Sequence, residues 1–489
     1  MKFIKKHWVA IWTVIVVALF GWLRFANIGS AFIFTGDPGR DMLTLWEWRE
    51  TGKIPLLGPQ TSAMPINQSA VYFYMLYPAF LITGGDPISA NITVAFFWIA
   101  SLLWGLWALR NRQELQKVVL IVFTLAAIFP LFVTQTRSVW NPSFLPPLIT
   151  IAIISLFLME EKYTGKRLLV FSTSTALAVS LHFPVATFAL AGLMYAFVFF
   201  RKYRLMIALS LISSLIIFNL PTLAFETRHG FMITRSMLEG HWLGTAQYTR
   251  IENLDLLVKY VGGVGVWWAN ILILVGSGTY AVTETLRRGK SLMRVVSLMF
   301  FISLTLTILS GMAFHSHYAY GFVVTIFLIV SQLPPRLLLP TLFTLGVIWL
   351  NPTQISDYFK PARRSMSEMN KCFQMICKTE KEPIFVSVQS EFHPFHVGYE
   401  YRYLMKRNGC DVRSIETEPN SASTMAVVLD GSEYEQDKTS FNELTLFGKS
   451  YISHRYDCGN HFRVVILSNK LKLVAPMEIP GDQNVRNGR

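Results

Sequence analysis

The chain has 489 residues, of which 52% are hydrophobic, 14% are aromatic and only 15% are charged. Soluble domains carry about 25% charged residues, so this composition excludes a wholly soluble protein and favours apolar helices within a bilayer. The net charge of +14 does not indicate nucleic-acid binding, because it lies almost entirely before residue 352, in short basic loops that suit anionic lipid.

The first predicted element is a membrane span over residues 8–26, preceded by Lys2, Lys5 and Lys6. Its apolar core is longer than the roughly 7–15 residues of a signal peptide, and no small-residue cleavage site follows. We therefore predict a retained helix with its N-terminus in the cytoplasm.

A long polar stretch follows over residues 28–90 and is predicted to be the first external loop. Its apolar segment, Val71–Ile82, is shorter than the roughly 20 residues that a span requires, and it contains Pro78. We predict that this segment forms a helix lying in the membrane interface.

The apolar runs after this loop predict ten more spans, so that the membrane domain, residues 1–350, has about eleven. These runs cover residues 91–109, 118–134, 143–159, 168–183, 185–200, 205–224, 263–283, 293–313, 318–333 and 337–350. With Val71–Ile82 outside the bilayer, every short loop on the cytoplasmic side contains Lys or Arg, in agreement with the positive-inside rule. The same topology places residues 351–489 outside the cytoplasm.

Residues 351–489 differ in composition, with 18 basic and 17 acidic side chains. Strand-like runs at 384–388, 425–429 and 463–467 alternate with helical stretches such as 397–407, which predicts a small α/β domain. Three disulfide pairings and free thiols all stay open, and the spacing matches no common zinc pattern. The cysteines concerned are Cys372, Cys377, Cys410 and Cys458. The predicted fold is therefore an α-helical polytopic membrane protein with a small extracytoplasmic α/β domain.

The densest polar segment of the membrane domain is residues 36–41, just after the first span. Asp37 stands where a helix N-cap residue would stand, and Asp41 lies one helical turn further on. One interpretation is a capped interfacial helix with a surface ion pair to Arg40. The other is a carboxylate held at the membrane surface as a general base, with Arg40 nearby for a phosphate.

Four further segments place polar groups at the predicted external ends of spans. They supply Arg137 and Asn141, then His182, then Glu226, Arg228 and His229, and finally His315, His317 and Tyr318. These residues also have purely structural interpretations. An arginine at the end of a span can extend its charged group to the membrane surface, and a lone histidine is more often structural than catalytic. The H-x-H pair offers only two metal ligands, and the sequence has no HExxH motif, P-loop or dinucleotide fingerprint. A divalent metal is therefore unsupported.

In their order along the chain, these motifs resemble those of the GT-C glycosyltransferases. In particular, they resemble those of bacterial family 39 enzymes of the protein mannosyltransferase and aminoarabinose transferase type. The likeness covers about residues 1–350 and includes residues 36–41, 51–55, 72–74, 140–142, 181–183 and 225–230. The sequence departs from the family pattern in two places. Asp37-Pro38 replaces an Asp-Glu pair, and Asn141 stands where several members carry an acid.

The resemblance implies an enzyme that moves a sugar from a polyprenyl-phosphate carrier to a hydroxyl acceptor on the outer face of a bacterial inner membrane. The acceptor would be a glycan, a lipid or a protein, and no cofactor is required because phosphate already activates the donor. It implies that Asp37 is the base, with Asp41 and Glu226 as further catalytic candidates. Our hypothesis assigns the donor phosphate to Arg40, Arg137, Arg228, His182 and His229, with Asn141, His315, His317 and Tyr318 as other external-face candidates.

Two rival interpretations come from different classes of protein. A transporter or lipid flippase would carry charges within spans near the midplane and paired broken helices, and neither is clear in this sequence. A non-catalytic membrane scaffold would tolerate replacement of Asp37.

Overall fold

The structure is a computed structural model that describes residues 2–32, 34–61, 67–239, 249–288, 291–310, 314–362, 364–391, 398–435, 443–459 and 462–469. By internal contacts the chain divides into two units. The first comprises Met1–Ile28 and Trp48–Lys360, and the second comprises Gly29–Glu47 and Pro361–Arg489. The division therefore falls ten residues later than the predicted boundary at 350, and the beginning of the predicted external loop groups with the C-terminal domain.

The described residues form helices and strands in the following order. The helices are α1 (Lys2–Phe25), α2 (Ile28–Ala31), α3 (Gly36–Thr51), α4 (Val71–Ile82), α5 (Ile88–Ala108), α6 (Gln113–Ile128), α7 (Pro130–Arg137), α8 (Leu145–Glu161), α9 (Gly165–Leu181), α10 (Ala186–Phe199), α11 (Arg204–Arg228), α12 (Met232–Leu238), α13 (Arg250–Val261), α14 (Trp267–Arg288), α15 (Leu292–Ser310), α16 (Tyr320–Val330), α17 (Pro335–Trp349), α18 (Pro352–Phe359), α19 (Met366–Thr379), α20 (Tyr399–Arg407) and α21 (Glu443–Phe447). The strands are β1 (Leu57–Gln60), β2 (Asn67–Ser69), β3 (Ile384–Ser390), β4 (Thr424–Asp430), β5 (Tyr451–Asp457) and β6 (Phe462–Ser468). Short 3₁₀ turns lie at Asn141–Phe144, Phe183–Val185, Arg201–Tyr203 and Ser316–Ala319.

Each predicted membrane span coincides with a helix or a broken helix of the first unit. Among the described residues, five helices are long and apolar enough to cross a bilayer by length and composition. They are His7–Phe25, Ile88–Ala108, Asn141–Glu161, Arg201–Arg228 and Leu292–Leu309. The pair α6 and α7, bent by 66°, makes a sixth crossing if it is counted as one span. The total of about eleven crossings and the orientation of the termini stay predictions.

The segment predicted to lie in the interface is a helix, α4, with the bounds Val71–Ile82. At 1.5 Å per residue its 12 residues extend about 18 Å, well short of a bilayer core of about 30 Å. Pro78 lies inside the helix, as the sequence indicated. The helical prediction for this segment is therefore confirmed.

Burial separates the central helices of the first unit from those that have exposed apolar surfaces. Every residue of α16 is buried, and so is almost all of α8. Helices that are apolar all round are expected in such a place. By contrast, α11 exposes large apolar side chains such as Leu209 and Ile217, which suits a lipid-facing surface.

The second unit is built on a four-stranded sheet with the order β3-β4-β6-β5. Strands β3 and β4 are parallel, and the other two pairs are antiparallel. The sheet region confirms three predicted strands as β3, β4 and β6. Strand β5 was missed, because it lies at the edge of the sheet and most of its residues are exposed. The predicted helix at 397–407 is α20, and residue 397 lies outside the described residues.

The four cysteines form two disulfides, Cys372–Cys458 and Cys377–Cys410. The structure thus selects one of the three pairings left open by the sequence, and the free-thiol alternative is wrong. The first bridge joins α19 to the turn after β5, and the second joins α19 to Cys410, three residues beyond the end of α20.

Candidate functional site

The acidic segment that dominates the sequence lies in the first turns of α3, within the second unit. Arg40 Nη1 lies 2.8 Å from Asp37 Oδ1, and Arg40 Nη2 lies 2.9 Å from Asp41 Oδ1. The helix begins at Gly36, two residues earlier than an N-cap at Asp37 would require. The predicted ion pair with Arg40 is confirmed. The Asp37 side chain is 58% exposed whereas that of Asp41 is 1% exposed, so Asp37 is the accessible acid of the two.

Glu226, the third acid proposed from the sequence, binds a helix N-terminus. It accepts hydrogen bonds from Ile233 N at 3.0 Å, Thr234 N at 2.9 Å and Thr234 Oγ1 at 2.6 Å. Both carboxylate oxygens therefore cap the first turn of α12. Among the described residues no ion pair joins Glu226 to Arg228, and Arg228 is exposed. These contacts give Glu226 a structural role.

His229, proposed as a phosphate ligand, lies beside this cap at the end of α11. Its ring stacks on Phe225 with a centroid separation of 4.0 Å, and its Nδ1 lies 2.8 Å from the Phe225 carbonyl oxygen. The histidine is exposed. The segment is therefore held by local contacts of its own helix.

Two buried arginines cap helix ends in the first unit. Arg137 is 6% exposed, and its Nη1 donates to the carbonyls of Leu23, Arg24 and Ala26 at the end of α1, at 3.0–3.2 Å. Arg24 is 1% exposed and donates to the carbonyls of Ala126 and Ala127 at the end of α6. The C-terminal carbonyls of helices carry partial negative charge and favour such cations.

The arginine pair has no carboxylate partner in the part of the chain that the structure describes. Arg137 Nη2 also lacks a hydrogen-bond acceptor among those residues. Arg24 was not singled out from the sequence, since an arginine at the end of a span looks like an ordinary interfacial anchor. Its burial depends on α6 and α7, which lie about 100 residues further along the chain.

Histidine and aromatic side chains from three helix breaks form a second cluster in the first unit. The His182 ring lies 4.7 Å from the His317 ring and 5.5 Å from the Tyr318 ring. The Trp140 ring lies 4.6 Å from that of His317, and His315 stacks 5.7 Å from His317. We call these five residues, Trp140, His182, His315, His317 and Tyr318, the histidine cluster.

The backbone around the histidine cluster shows why these side chains meet. Trp140, His182 and His315 each precede the 3₁₀ turn that opens a long helix, at Asn141, Phe183 and Ser316. Three helix N-termini, each with partial positive charge, therefore lie at this cluster. Helix N-termini are favourable places for anions.

His182 is the innermost member of the histidine cluster, with only 6% of its surface exposed. Neither of its ring nitrogens has a hydrogen-bond partner among the described residues. Two neighbouring side-chain amides form hydrogen bonds with the backbone on either side of His182. Asn141 Nδ2 donates to the Leu181 carbonyl at 2.6 Å, and Gln68 Oε1 accepts from Phe183 N at 3.2 Å. A buried imidazole with one free donor and one free acceptor is suited to bind a polar ligand.

The sequence-based candidates therefore fall into separate groups. His182, His315, His317 and Tyr318 meet in the histidine cluster, and Asn141 adjoins it. Asp37, Arg40 and Asp41 lie together on α3, whereas Glu226, Arg228 and His229 lie at the end of α11. The described residues contain no group of three or more His, Cys, Asp or Glu side chains able to hold a metal ion. Gln68 was missed, because a glutamine in a polar loop gives no signal in the sequence.

The described residues form a mostly helical fold with several apolar helices and a small sheet region. Solved structures with this fold include ArnT from Cupriavidus metallidurans bound to undecaprenyl phosphate. That match has a TM-score of 0.62 over 96% of this chain and 99% of the ArnT chain, at 10% sequence identity. The apo state of the same protein matches with a TM-score of 0.61 over 97% and 100% of the two chains, at 11% identity.

The likeness covers nearly the whole of both chains and agrees with the fold that the sequence resemblance implied. At this level of identity it establishes the fold. No protein-family model and no curated protein sequence matches this chain.

Proposed function

We propose that this protein is a membrane glycosyltransferase that takes a sugar from a polyprenyl-phosphate carrier and passes it to a hydroxyl acceptor on the outer face of the membrane. The observation that carries the proposal is the full-length likeness to ArnT, which has been crystallised with undecaprenyl phosphate. The sequence motifs support it independently, because they lie in the order found in GT-C enzymes.

Asp37 is our candidate for the general base. It is the exposed acid of α3, and its ion pair with Arg40 holds the carboxylate in one orientation. Asp37 would accept the proton of the acceptor hydroxyl while that oxygen attacks the anomeric carbon. The bond between the anomeric carbon and the phosphate oxygen breaks as the new glycosidic bond forms. Polyprenyl phosphate leaves with the bonding electrons.

The leaving phosphate requires positive charge, and the first unit offers it in two places. The histidine cluster lies at three helix N-termini, and Arg137 Nη2 lacks an acceptor among the described residues. Hydrogen-bond donors directed at developing negative charge commonly contribute about 3 kcal/mol to catalysis. We propose that His182 and Arg137 bind the polar head of the donor. Arg40, Arg228 and His229 stay candidates of lower weight, because they are engaged locally or exposed.

The reaction requires no cofactor, since the donor sugar is already activated by its phosphate ester. The acceptor, a glycan, lipid or protein hydroxyl, and the bacterial inner-membrane location belong to the same proposal. They follow from the resemblance and from the apolar helices.

The test is sugar transfer by purified protein in liposomes supplied with a panel of polyprenyl-phosphate sugars. We compare the wild type with Asp37→Asn and with a matched control, Glu47→Gln, which changes an exposed acid on the same helix. Transfer that is lost in Asp37→Asn and retained in Glu47→Gln supports both the enzyme class and the base. Equal transfer by all three proteins supports the glycosyltransferase class but shows that Asp37 is not the general base.

A second measurement asks whether Arg137 and His182, both in the first unit, serve one reaction. Residues that act as a unit give losses that are far from additive. We therefore expect the double variant Arg137→Met with His182→Phe to be hardly slower than the slower single variant. Fully additive losses would indicate independent roles. If no donor is turned over and labelled polyprenyl phosphate crosses the bilayer instead, the flippase alternative replaces this proposal.

A further inference from the structure

The segment that carries Asp37 is built into the C-terminal domain. Residues Gly29–Glu47 group with Pro361–Arg489 and not with the spans that precede and follow them in the chain. The backbone makes this connection directly, because Ala362 N donates to the Ser30 carbonyl at 2.9 Å. The first three turns of α3 are therefore part of the second unit.

One face of α3 is buried, and part of that face packs against the second unit. Met42, Leu45 and Trp46 are buried at 2%, 0% and 8% exposure. The Trp46 ring packs edge-on against Tyr403 of α20 with a centroid separation of 5.8 Å. Phe34, just before α3, meets the same ring at 5.8 Å. One tyrosine thus contacts the chain on both sides of Asp37, which is itself exposed.

Gly39 brings α3 into backbone contact with α20. A Cβ at Gly39 would lie 2.3 Å from Glu400 N and 2.5 Å from Glu400 Cα, closer than any side chain can approach. The obstructing atoms are backbone atoms in the first turn of α20, so they cannot rotate away. Only glycine permits this contact, two residues from Asp37.

The first turn of α20 is held in turn by the sheet. Arg364, with 12% of its side chain exposed, places its Nη1 3.9 Å from Glu400 Oε1 and 3.1 Å from Asp430 Oδ2 at the end of β4. Burial lowers the pKa of Arg364, but Tyr401, Asp430 and Glu400 outweigh burial and raise the pKa above its usual value. A continuous set of contacts therefore runs from the sheet through α20 to α3.

We propose that the C-terminal domain is the device that positions the catalytic acid, with Gly39 and Tyr403 as positioning residues. This inference rests on the proposed function, because it requires Asp37 to act in sugar transfer. A small displacement of a reacting group, of about 1 Å, can reduce turnover about 100-fold without loss of substrate binding.

The first experiment compares Gly39→Ala with Gly29→Ala in full-length protein. Gly29 lies in the same segment, and a Cβ there would meet nothing within 4 Å. In Gly39→Ala we expect kcat for sugar transfer to fall at least about tenfold, while KM for the polyprenyl-phosphate donor changes less than about twofold. Gly29→Ala should behave as wild type. An unchanged kcat in Gly39→Ala, or a rise in KM alone, overturns the proposal.

The second pair of variants, Tyr403→Leu and Tyr403→Phe, distinguishes loss of the aromatic contact from general misfolding. Leucine removes the ring that Phe34 and Trp46 contact, whereas phenylalanine keeps it. We expect the leucine variant to lose kcat and the phenylalanine variant to recover it. Equal kcat in the two variants overturns the role given to Tyr403.

Hydrogen exchange of the α3 and α20 amides separates this inference from the proposed function. If Gly39→Ala speeds exchange in both helices while transfer persists at the wild-type rate, the domain holds α3 but does not position a catalytic group, and the inference fails alone. If the wild type transfers no sugar, the proposed function fails. In that case hydrogen exchange alone tests the packing of α3 on α20. If the α3 and α20 amides of Gly39→Ala are protected as in the wild type, the packing role of Gly39 is wrong as well.

Discussion

This protein buries arginines by two different means, hydrogen bonds to helix carbonyls and ion pairs with carboxylates. The first unit uses both, since Arg294 pairs with Glu160 there, whereas the carbonyl caps are described only in the first unit. In the first unit, Arg24 and Arg137 donate to carbonyls at the ends of α1 and α6, and no carboxylate pairs with them among the described residues. In the second unit, Arg364 lies against Asp430 at 3.1 Å, and Arg402 lies 3.7 Å from Glu443. Each of these acids is 3% exposed, so both pairs are buried.

The difference follows from the surroundings in which each unit folds. The spans of the first unit hold almost no acids, so the partial negative charge of helix C-termini is the available partner. Such capping satisfies hydrogen bonds and neutralises only part of a full charge. Arg24 and Arg137 consequently leave the first unit with buried positive charge that is only partly neutralised and that could be balanced by a bound anion. The second unit balances its buried charges internally, and its pairs serve the fold.

The largest expected effect is on the charge pairs of the second unit. Arg364→Met removes the guanidinium that lies against the buried carboxylates of Asp430 and Glu400. Breaking a buried pair by removing one partner costs about 3–5 kcal/mol. We expect β4 amides to lose that much protection in hydrogen exchange of the full-length protein. Arg413→Met, at an exposed pair with Asp411, is the matched control and should change little. Equal behaviour of the two variants would show that the buried network adds nothing to stability.

A smaller effect is expected at the carbonyl caps of the first unit. Arg24→Met exposes the carbonyls of Ala126 and Ala127 to an apolar environment but leaves no unpaired charge. The cost of such unsatisfied groups is about 1–3 kcal/mol. We expect a moderate fall in the thermal unfolding midpoint of the detergent-solubilised protein. A loss as large as that of Arg364→Met would contradict the distinction drawn between the two kinds of burial.

His182→Phe tests whether the unpartnered groups of the first unit serve function. Replacing a buried, unsatisfied imidazole by an apolar ring should leave the free energy of unfolding unchanged or raise it slightly. Sugar transfer should nevertheless fall about tenfold, which corresponds to about 1.4 kcal/mol. His182→Asn, which retains one donor and one acceptor, should recover part of the rate. Loss of stability with unchanged transfer would assign His182 to the fold.

The smallest effect concerns the pH dependence of the second unit. Burial raises the pKa of the Glu443 carboxyl, although backbone hydrogen bonding and Arg402 act in the opposite direction. A carboxyl with a raised pKa in the folded state stabilises the fold below its unfolded pKa of about 4.5, and this contribution is lost as pH rises through the folded value. Glu443→Gln should flatten the stability profile between those two values. A profile identical to that of the wild type would mean that the Arg402 pair already compensates for burial.

Much of the fold was predictable because its signals are local. Apolar runs located the helices of the first unit, and β-rich runs located β3, β4 and β6. The ion pair of Asp37 with Arg40 was predictable for the same reason, since the two residues are one helical turn apart. Strand β5 was not predictable, because an exposed edge strand has no apolar pattern to reveal it.

The candidate site was predictable residue by residue and not as an arrangement. His182, His315 and His317 were each identified at a span end, but the sequence does not indicate that three helix breaks meet. Arg24 was missed because its partners lie about 100 residues away. The cysteine pairing was likewise a property of tertiary structure. Most unexpected was the assignment of Gly29–Glu47 to the C-terminal domain, since chain proximity to α1 favoured the membrane domain.

The grouping of Gly29–Glu47 with the distant C-terminal domain has a consequence for biosynthesis. The helix that carries Asp37 is made early, whereas the domain that holds it begins about 300 residues later. At about 5–20 residues per second, α3 waits for about 15–60 s before its partner is synthesised. A nascent or truncated chain can therefore complete its spans without an ordered α3. The last part of the protein to be translated supplies the residues against which α3 packs, so only a finished molecule can complete that packing.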